Sequence, residues 1–197
     1  MFIYYRGVRV KDDIKRNAII EATVSLVDEI GFASSSVSKI AKRANVSPAT
    51  IYIYFKNKED LLVSTYVDIK ICMANAILEG LDSSIPVRDA VFLAGNRLYT
   101  YISSHDKLFA YAEQFANSPY TDLVDEEAIS TPFKPMYELI QHGIDQKIIK
   151  DVPFELLFAH MYLPIFNLVN PRLHPGFEVT PEIIETSMNM AWDAIKL

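Results

Sequence analysis

The sequence has few of the residues that covalent crosslinks, metal sites and all-β folds require. Cys72 is the only cysteine among 197 residues, so no intrachain disulfide can form, which fits a reducing compartment. Only 6 glycines occur, which is few for an all-β protein of this size. The four histidines (105, 142, 160 and 174) do not follow metal-ligand spacing. We therefore expect neither a disulfide-stabilised fold nor a metal site.

Patterns for catalysis and for membrane insertion are also missing. We find no nucleophile–base motif and no glycine-rich phosphate loop, so we predict neither an enzyme nor a cofactor. The longest apolar region, 156–169, is interrupted by His160, Pro164 and Asn167 and is too short for a bilayer core of about 30 Å. The first residues, MFIYYRGVRVKDD, contain no apolar run typical of a signal peptide. These observations predict a soluble, cytoplasmic protein that has no membrane partner.

What the sequence does contain is the pattern of an all-α protein. Hydrophobic residues make up 50% of the chain and aromatic residues 12%, enough for a substantial core. Apolar residues recur at steps of three and four, and Gly31 stands where a left-handed C-terminal cap would end the first helix. The predicted helices span 11–30, 37–44, 48–54, 58–81, 105–117, 122–147, 153–169 and 180–196, with further apolar periodicity over 91–102.

The charge is distributed unevenly along the chain. The formal net charge is -6, but residues 1–62 contain 10 Lys and Arg against 7 Asp and Glu, whereas residues 63–197 contain 9 against 18. An excess of basic residues in the first part favours contact with a polyanion, and the acidic remainder does not.

A short segment of the basic part, VSKIAKRANVSPATIYIYFKNKEDL (37–61), predicts a helix-turn-helix. Ser47 suits an N-cap, and Pro48 suits the first helical position, where a missing N–H costs nothing. The second helix, Pro48–Tyr54, would enter the major groove of DNA. Ile51 and Phe55 are four residues apart and should face inward, which leaves the other side chains for the outer faces.

Hydroxyl and ammonium groups around this helix suit DNA phosphates, to which about half or more of protein–DNA hydrogen bonds go. Ala49 and Thr50 could also touch a thymine methyl group. For Tyr52 the alternative is a core aromatic, for Lys58 a solvated lysine and for Ser36 a simple N-cap. The predicted DNA-binding residues are Ser36, Ser38, Lys39, Pro48, Ala49, Thr50, Tyr52, Tyr54 and Lys58.

The stretch GFASSSVSKIAKRANVSPATIYIYFKNKEDLL (31–62) resembles the DNA-binding signature of the TetR (tetracycline-repressor) family. The residues that carry the resemblance are Gly31, Phe32, Ile40, Ala41, Val46, Ser47, Ile51, Tyr52, Tyr54, Phe55, Lys56, Lys58, Glu59 and Leu61. A weaker likeness covers 143–157, where Lys147 stands in place of a frequent glycine. Position 49 is Ala, where many members have glycine or another small residue.

The resemblance implies about nine helices and three parts. These are a helix-turn-helix DNA-binding domain (1–57), a connecting helix four (58–81) and an effector-binding and dimerisation domain (82–197). It also implies a homodimer formed by the last two helices as a four-helix bundle. In such a protein a small ligand shifts the DNA-binding heads out of register with the operator.

Two sets of residues in the C-terminal part are candidates for these roles, although plain core packing is the alternative for both. Tyr, His and Asn on otherwise apolar helices need hydrogen-bond partners when they are buried, and a ligand cavity has this mixture of apolar and polar groups. The expected effector is apolar or aromatic. The ligand candidates are Phe92, Asn96, Tyr99, Phe109, Phe115, Tyr137, His142, His160, Tyr162 and Phe166. The dimer candidates are Phe154, Phe158, Met161, Ile165, Ile184, Met188 and Trp192.

Taken together, these features predict a homodimeric, ligand-responsive transcriptional regulator that binds a double-stranded DNA operator, most simply a repressor. Two alternatives stay open. One is a DNA-binding regulator of the same fold without a small-molecule effector. The other is a helical enzyme, for which the sequence offers no catalytic constellation.

Overall fold

The computed structural model describes residues 10–82 and 84–197, with side chains from Asp13 onward. Within these ranges the regular secondary structure consists of helices, apart from one isolated β-bridge between Ile149 and Lys196. The all-α prediction is therefore confirmed. The first nine residues of the predicted DNA-binding domain, and Ser83 in the predicted effector-binding and dimerisation domain, lie outside the described residues.

The α-helices are numbered in chain order. They are α1 (Val10–Ser34), α2 (Val37–Arg43), α3 (Pro48–Tyr54), α4 (Lys58–Leu78), α5 (Val87–Ser104), α6 (Asp106–Ala116), α7 (Glu126–Ser130), α8 (Lys134–Asp145), α9 (Phe154–Met161), α10 (Leu163–Leu168) and α11 (Pro181–Ile195). Two short 3-10 helices cover Pro119–Leu123 and Thr131–Phe133. The chain separates into two compact units, the first comprising residues up to 72 and 106–129, the second 73–105 and 130–197.

In the first unit, α1 is buried on two faces. One face joins α2 and α3 in a cluster that we call the head core, which consists of Ile19, Ile20, Ala22, Leu26, Ile40, Ala41, Ile51, Phe55 and Leu61. The other face joins α4 and α6 in a second cluster of Val24, Val27, Leu62, Ile69, Leu108, Tyr111 and Phe115. Because both faces are covered, α1 does not show the single apolar stripe of a surface helix.

Gly31 ends the regular part of α1 as the sequence predicted, with a positive φ of 73° but an extended ψ of 169°. Only glycine adopts this region without strain. The turn aims Phe32 at the second cluster, where its ring centroid lies 5.2 Å from Tyr111, 5.9 Å from Phe115 and 5.8 Å from Tyr120. The joint between α1 and α2 is thereby fixed against α6 and the 3-10 helix that follows it.

Residues 106–129 pack with the N-terminal part of the chain, whereas the sequence prediction places them in the C-terminal domain. The aromatic contacts of Phe32 explain the difference, because they join α6 to the end of α1. The Tyr111 hydroxyl also donates to the carbonyl of Leu62 at 2.9 Å, and burial raises the pKa of this phenol. The compact units of the fold thus do not follow the linear order of the sequence.

The second unit consists of the last turn and a half of α4 together with α5 and α8–α11. Its buried side chains include Val87, Ala90, Val91, Ala94, Leu98, Met136, Leu139, Ile140, Ile149, Leu157, Met161, Tyr162, Ile165, Ile184, Met188, Ala191 and Ile195. At Gly143 a Cβ atom would lie 2.9 Å from Val87 Cγ1, so the missing side chain allows α8 to approach α5 closely. The chain end is held by the 148–150 segment, since Leu197 N donates to Ile148 O and Lys150 N donates to Ile195 O, both at 2.9 Å.

Three helix predictions were wrong in extent. The single helix expected over 122–147 is divided into α7, the second 3-10 helix and α8, because Pro132 and Pro135 cannot donate backbone hydrogen bonds. The helix expected over 153–169 breaks at Tyr162 (φ −121°, ψ −26°), because Pro164 cannot bond back to the carbonyl of His160. Helix α4 ends at Leu78 and not near Leu81, since Gly80 follows with φ 68°.

Among the described residues, α4 is the one helix that combines length and apolar composition. Lys58–Leu78 is long and apolar enough to cross a membrane by length and composition alone. However, 44% of that window is buried inside the fold, and core helices of soluble proteins satisfy the same criterion. The apolar region singled out in the sequence, 156–169, is instead split between α9 and α10.

Candidate nucleic-acid interface

Helices α2 and α3 both begin with serine caps. Ser36 Oγ accepts from Lys39 N at 3.3 Å, and Ser47 Oγ accepts from Thr50 N at 3.1 Å. Pro48 occupies the first turn of α3, as the sequence predicted. Each cap satisfies one of the N–H groups that a helix start leaves without an intrahelical partner. Local sequence therefore fixes where both short helices start.

The turn between the two helices is a Schellman motif. Asn45 has φ 54°, and the N–H groups of Val46 and Asn45 donate to the carbonyls of Ala41 (3.0 Å) and Lys42 (3.3 Å). These are the two hydrogen bonds that define the motif, and asparagine tolerates the left-handed conformation better than most residues. The turn thus gives hydrogen-bond partners to two carbonyls at the end of α2 and sets the direction in which α3 leaves.

Buried side chains hold α3 against the rest of the head. Ile51 is fully buried, Phe55 is 3% exposed, and Val46 packs against the same head core. The inward orientation predicted for Ile51 and Phe55 is confirmed. Because these two positions and Ile40 below them face the core, the opposite side of α3 is left to solvent.

Exposure along α3 follows from that orientation. Tyr52 is 55% exposed and Ile53 is 76% exposed, while Pro48 and Ala49 are also exposed. Thr50 and Tyr54 are half-buried: Thr50 Oγ1 lies 2.9 Å from Ser47 Oγ, and Tyr54 packs against the head core. The core alternative for Tyr52 is excluded by its exposure.

The predicted polar contacts outside α3 lie at the starts of α2 and α4. Ser36, Ser38 and Lys39 are exposed. Lys39 Nζ donates to Ser34 O at 3.0 Å, and Lys58 Nζ donates to Phe32 O at 2.8 Å. An ammonium group has three donors, so each lysine keeps further donors for an anion while it ties two helix ends together.

A bidentate ion pair joins α2 to α1. Both terminal guanidinium nitrogens of Arg43 donate to the Glu29 carboxylate, Nη2 to Oε2 at 2.6 Å, and Nη1 also donates to Ser25 Oγ at 2.8 Å. The hydrogen bond from Arg43 lowers the pKa of Glu29, and the same bond raises the pKa of Arg43. Arg43 therefore connects α2 to α1.

The predicted ligand residues do not form one group. Phe109 and Phe115 are buried in the first unit, while the other candidates belong to the second. There Tyr162 is buried and its hydroxyl donates to Val91 O at 3.4 Å; Tyr99 donates to Val179 O at 2.8 Å. Phe92 and Phe166 are half-buried and His142 contacts Gln146 Nε2 at 2.9 Å. Asn96, Tyr137 and His160 are exposed.

The predicted dimer residues divide by burial. Four of them are at most 1% exposed within the protomer and belong to its core: Met161, Ile165, Ile184 and Met188. Phe154, Phe158 and Trp192 are half-buried. The exposed large apolar side chains of the same helices are Leu156 (49%), Leu163 (47%) and Met190 (70%), which the sequence did not single out. Helical phase relative to the buried residues is the signal that would have found them.

Two open grooves lie in the second unit. The larger, about 650 Å³, lies between the α9–α10 segment and α11 and is lined by Ala159, Leu163, Pro164, Asn167, Leu168, Ile183, Thr186, Ser187 and Met190. The smaller, about 340 Å³, lies beside α8, where the rings of Tyr137 and Phe154 are 4.0 Å apart. No cluster of three metal-ligating side chains occurs in the part of the chain that the structure describes.

The sequence prediction did not single out two residues, Ile53 and Lys70. Ile53 was left off the DNA-binding set, although its position two residues after buried Ile51 places it on the far side of α3. Lys70, on α4, is half-buried, and burial lowers the pKa of its ammonium group. Nothing in the sequence around Lys70 distinguishes it from a surface lysine.

A capped second helix that follows a tight turn and stands on a small helical core defines a helix-turn-helix protein. The chain matches the family model described as bacterial regulatory proteins, tetR family, over residues 19–65. It matches a tetracyclin repressor-like C-terminal domain over residues 95–196. The chain therefore belongs to the TetR family, and it is a transcriptional regulator with a DNA-binding head. The resemblance found in the sequence is confirmed.

Solved structures match most of the chain. A TetR-family transcription regulator from Marinobacter aquaeolei VT8 is 36% identical, with a TM-score of 0.84 over 96% of this chain and 99% of that one. A TetR-family regulator from Haemophilus influenzae has the same fold, with a TM-score of 0.82 at 21% identity over 96% of this chain and all of that one.

Curated relatives carry regulatory names as well. An HTH-type transcriptional regulator of Haemophilus influenzae is 24% identical over 90% of this chain and 94% of its own length. The fatty acid metabolism regulator protein of Bacillus subtilis is 39% identical over 92 residues, which are 47% of this chain. Those residues span only 44% of the Bacillus protein, so the similarity covers less than half of its length.

Proposed function

We propose that this protein is a homodimeric repressor that binds a DNA operator with α3 in the major groove and leaves it when an apolar effector binds. The observation that carries the proposal is the orientation of α3. Its inner side is anchored by Ile51 and Phe55, and its outer side presents exposed Ala49, Tyr52 and Ile53. A helix held in this way fits the major groove, which is about 12 Å wide.

Phosphate contacts would hold the head in register. The exposed hydroxyls of Ser36, Ser38 and Tyr52 and the ammonium groups of Lys39 and Lys58 are the proposed phosphate donors, since each has a donor that can reach outward. The half-buried Thr50 and Tyr54 and the exposed Pro48 and Ala49 complete the proposed DNA-binding set. Because ammonium groups neutralise phosphates, operator affinity should fall steeply with salt.

A second copy of the chain would dock on α9–α11. The exposed apolar side chains Leu163 and Met190 border the larger groove, and the half-buried Trp192 lies on the same helix as Met190. A two-fold dimer through this surface would present two heads to half-sites about 34–36 Å apart or somewhat more. Dimerisation through this surface is part of the proposal.

The effector is proposed to be an apolar molecule, with a long acyl chain as the first candidate. The Bacillus subtilis relative is named a fatty acid metabolism regulator, and a Bacillus subtilis regulator of the same fold, 22% identical, was crystallised with stearoyl-CoA. Helix α4 begins at the head and contributes residues to both units, so a shift of this helix would reach the head. The proposed ligand residues are the candidates that belong to the second unit: Phe92, Asn96, Tyr99, Tyr137, His142, His160, Tyr162 and Phe166.

The proposal is tested by selecting operator DNA from a random pool with the purified protein and measuring its affinity by fluorescence anisotropy. We expect specific binding that weakens as salt rises from 50 to 200 mM by a factor of about 10³–10⁵. Absence of binding, or binding that ignores salt, would contradict operator recognition.

The effector is tested separately with stearoyl-CoA as the probe and free CoA as the control. A ligand changes operator affinity only if it binds the free and DNA-bound forms differently. Weaker operator binding with stearoyl-CoA but not with CoA supports an acyl effector. Equal affinity with both, and with a panel of other apolar ligands, supports the regulator without an effector.

A further inference from the structure

The recognition helix lacks the side chains that usually read base pairs by paired hydrogen bonds. Its sequence, PATIYIY, contains no Arg, Lys, Asn or Gln, which are the residues that bond guanine or adenine edges in a bidentate way. Sequence discrimination by this helix must therefore rest on other groups. The remaining outward side chains are hydroxyls, which also suit phosphates, and apolar groups.

The geometry of α3 aims the apolar groups most directly outward. Successive residues are about 100° apart around a helix axis. Ala49 and Ile53 therefore both lie about 160–200° from Ile51, which is fully buried. They form a ridge directly opposite Ile51. Tyr52 and Thr50 lie on the two sides of the helix, each about 100° from Ile51. The ridge faces the floor of the groove when the flanking hydroxyls face its walls.

Ile53 is the prominent member of this ridge. It is 76% exposed, the highest value among the large hydrophobic side chains that the structure describes. A single exposed apolar side chain is ordinary on a protein surface and by itself indicates nothing. Here, however, it stands at the centre of the face that a helix-turn-helix protein inserts into DNA.

We propose that Ile53 reads the 5-methyl group of a thymine in each half-site, with Ala49 leaving room beside it. The thymine methyl is the apolar group on the major-groove edge of the base pairs, and apolar contact with it is an established means of readout. This inference rests on the proposed operator binding. It adds the chemical class of the base contact and the residue that makes it.

The test uses the operator selected above, with each thymine of the half-site replaced in turn by deoxyuridine in both half-sites. Deoxyuridine pairs like thymine and lacks only the methyl group. At one position or at two adjacent positions, we expect the wild-type protein to bind about four-fold more weakly for each half-site. This factor corresponds to about 0.8 kcal/mol for one buried methyl group. For a symmetric operator the loss is about fifteen-fold.

Two variants locate the contact. Ile53→Ala should bind the thymine operator more weakly and lose the sensitivity to deoxyuridine at that position, so that the two changes are not additive. Tyr52→Phe is the matched comparison: it should weaken binding through the loss of a phosphate contact at the neighbouring exposed position, yet retain the full deoxyuridine effect. Because Ile53 is exposed, Ile53→Ala should melt like the wild type, and Ile53→Ser provides a second substitution.

The possible outcomes are separable. If no operator is selected, the proposed function fails and this inference fails with it. If an operator is selected but deoxyuridine has no effect at any position, operator binding stands and the methyl contact is overturned. The same holds if Ile53→Ala and Ile53→Ser keep the full deoxyuridine effect.

Discussion

At the residue scale, the ion pair between Arg43 and Glu29 shows how one contact decides the position of α2. The pair is solvent-exposed and lies between two helices that approach only after the chain has turned at Gly31. Exposed pairs usually contribute little to stability, although bidentate geometry makes this one more specific than most. Its value is in fixing the angle of α2, and hence of the turn that leads to α3.

This pair predicts a pH dependence with a definite sign. The pKa of Glu29 lies below its ordinary value of 4.5 in the folded protein. Its contribution to stability is therefore present above about pH 4.5 and is lost as pH falls through the lower folded-state pKa. We expect Glu29→Gln to lower Tm modestly at pH 7 and the difference from wild type to shrink in acid. Glu21→Gln, on the same helix, controls for the loss of one charge. A difference that grows in acid would contradict the assignment.

Tyr52 provides the residue-scale test of phosphate binding. Tyr52→Phe removes only the hydroxyl of a side chain that is 55% exposed, so folding should be unaffected. A hydrogen bond to a charged group contributes about 1.5–3 kcal/mol, and we expect a loss of affinity of about ten-fold or more. The loss should be similar for all operator variants if the partner is phosphate. A loss confined to one base pair would instead indicate base readout.

Lys147 has a conformation that favours a different residue. It follows α8 with φ 57°, and Ile148 N and Lys147 N donate to Gly143 O and Ile144 O, both at 2.9 Å, as in a Schellman motif. Relief of the left-handed strain gains about 1–2 kcal/mol, while glycine loses about 0.5–1 kcal/mol through chain entropy. We expect Lys147→Gly to raise the free energy of unfolding by about 0.5–1 kcal/mol in urea melts. Gln146→Gly, at φ −78°, should lower it.

At the element scale, the connection between α1 and α2 determines the position of α2 and hence of α3. Gly31 bends the chain, Phe32 enters the aromatic cluster beside Tyr111, and Lys58 of α4 donates to the carbonyl of Phe32. Three elements, α1, α4 and α6, therefore meet at a single peptide segment. A displacement of α4 or α6 would act directly on the residues that precede α2.

The bend itself can be tested by a single methyl group. At Gly31 an added Cβ would contact nothing within 4 Å, so the only cost is that φ 73° and ψ 169° are unfavourable for other residues. We expect Gly31→Ala to lower the free energy of unfolding by about 1–3 kcal/mol. The exposed substitution Ala33→Ser, two residues later, should change it by less than about 0.5 kcal/mol. An unchanged melt for Gly31→Ala would show that the joint relaxes without cost.

At the scale of the whole molecule, the basic part of the sequence is also the part that contains the DNA-binding head. The basic excess lies in residues 1–62, which contain the helix-turn-helix, and the acidic excess lies in residues 63–197. An overall charge of -6 would repel DNA if it were spread evenly. Concentrating Lys and Arg at the head restricts attraction to the face that would meet the operator.

Dimer formation is predicted to depend on α10 and α11. Met190→Glu and Leu163→Glu each place a charge on an exposed apolar side chain beside the larger groove. We expect both variants to shift from dimer to monomer in multi-angle light scattering and to lose operator affinity. The matched control is Leu123→Glu, because Leu123 is 57% exposed but belongs to the first unit. If Leu163→Glu and Met190→Glu remain dimeric, the interface lies elsewhere.

The sequence by itself determined the features that depend on neighbouring residues. Caps at Ser36 and Ser47, the proline start of α3 and the inward pair Ile51 and Phe55 follow from local rules, whereas the family was indicated by the resemblance of the 31–62 stretch to a known signature. These signals act within one or two helical turns. They need no knowledge of what packs against the helices.

Only the tertiary structure decided the features that depend on distant residues. Burial of Met161 and Met188 inside the protomer, and of Phe115 in the first unit, depends on which helices meet. The bond from Lys58 to Phe32 depends on how α4 is placed on α1. An apolar pattern shows that a face is covered, but its partner is chosen by packing among helices far apart in the chain.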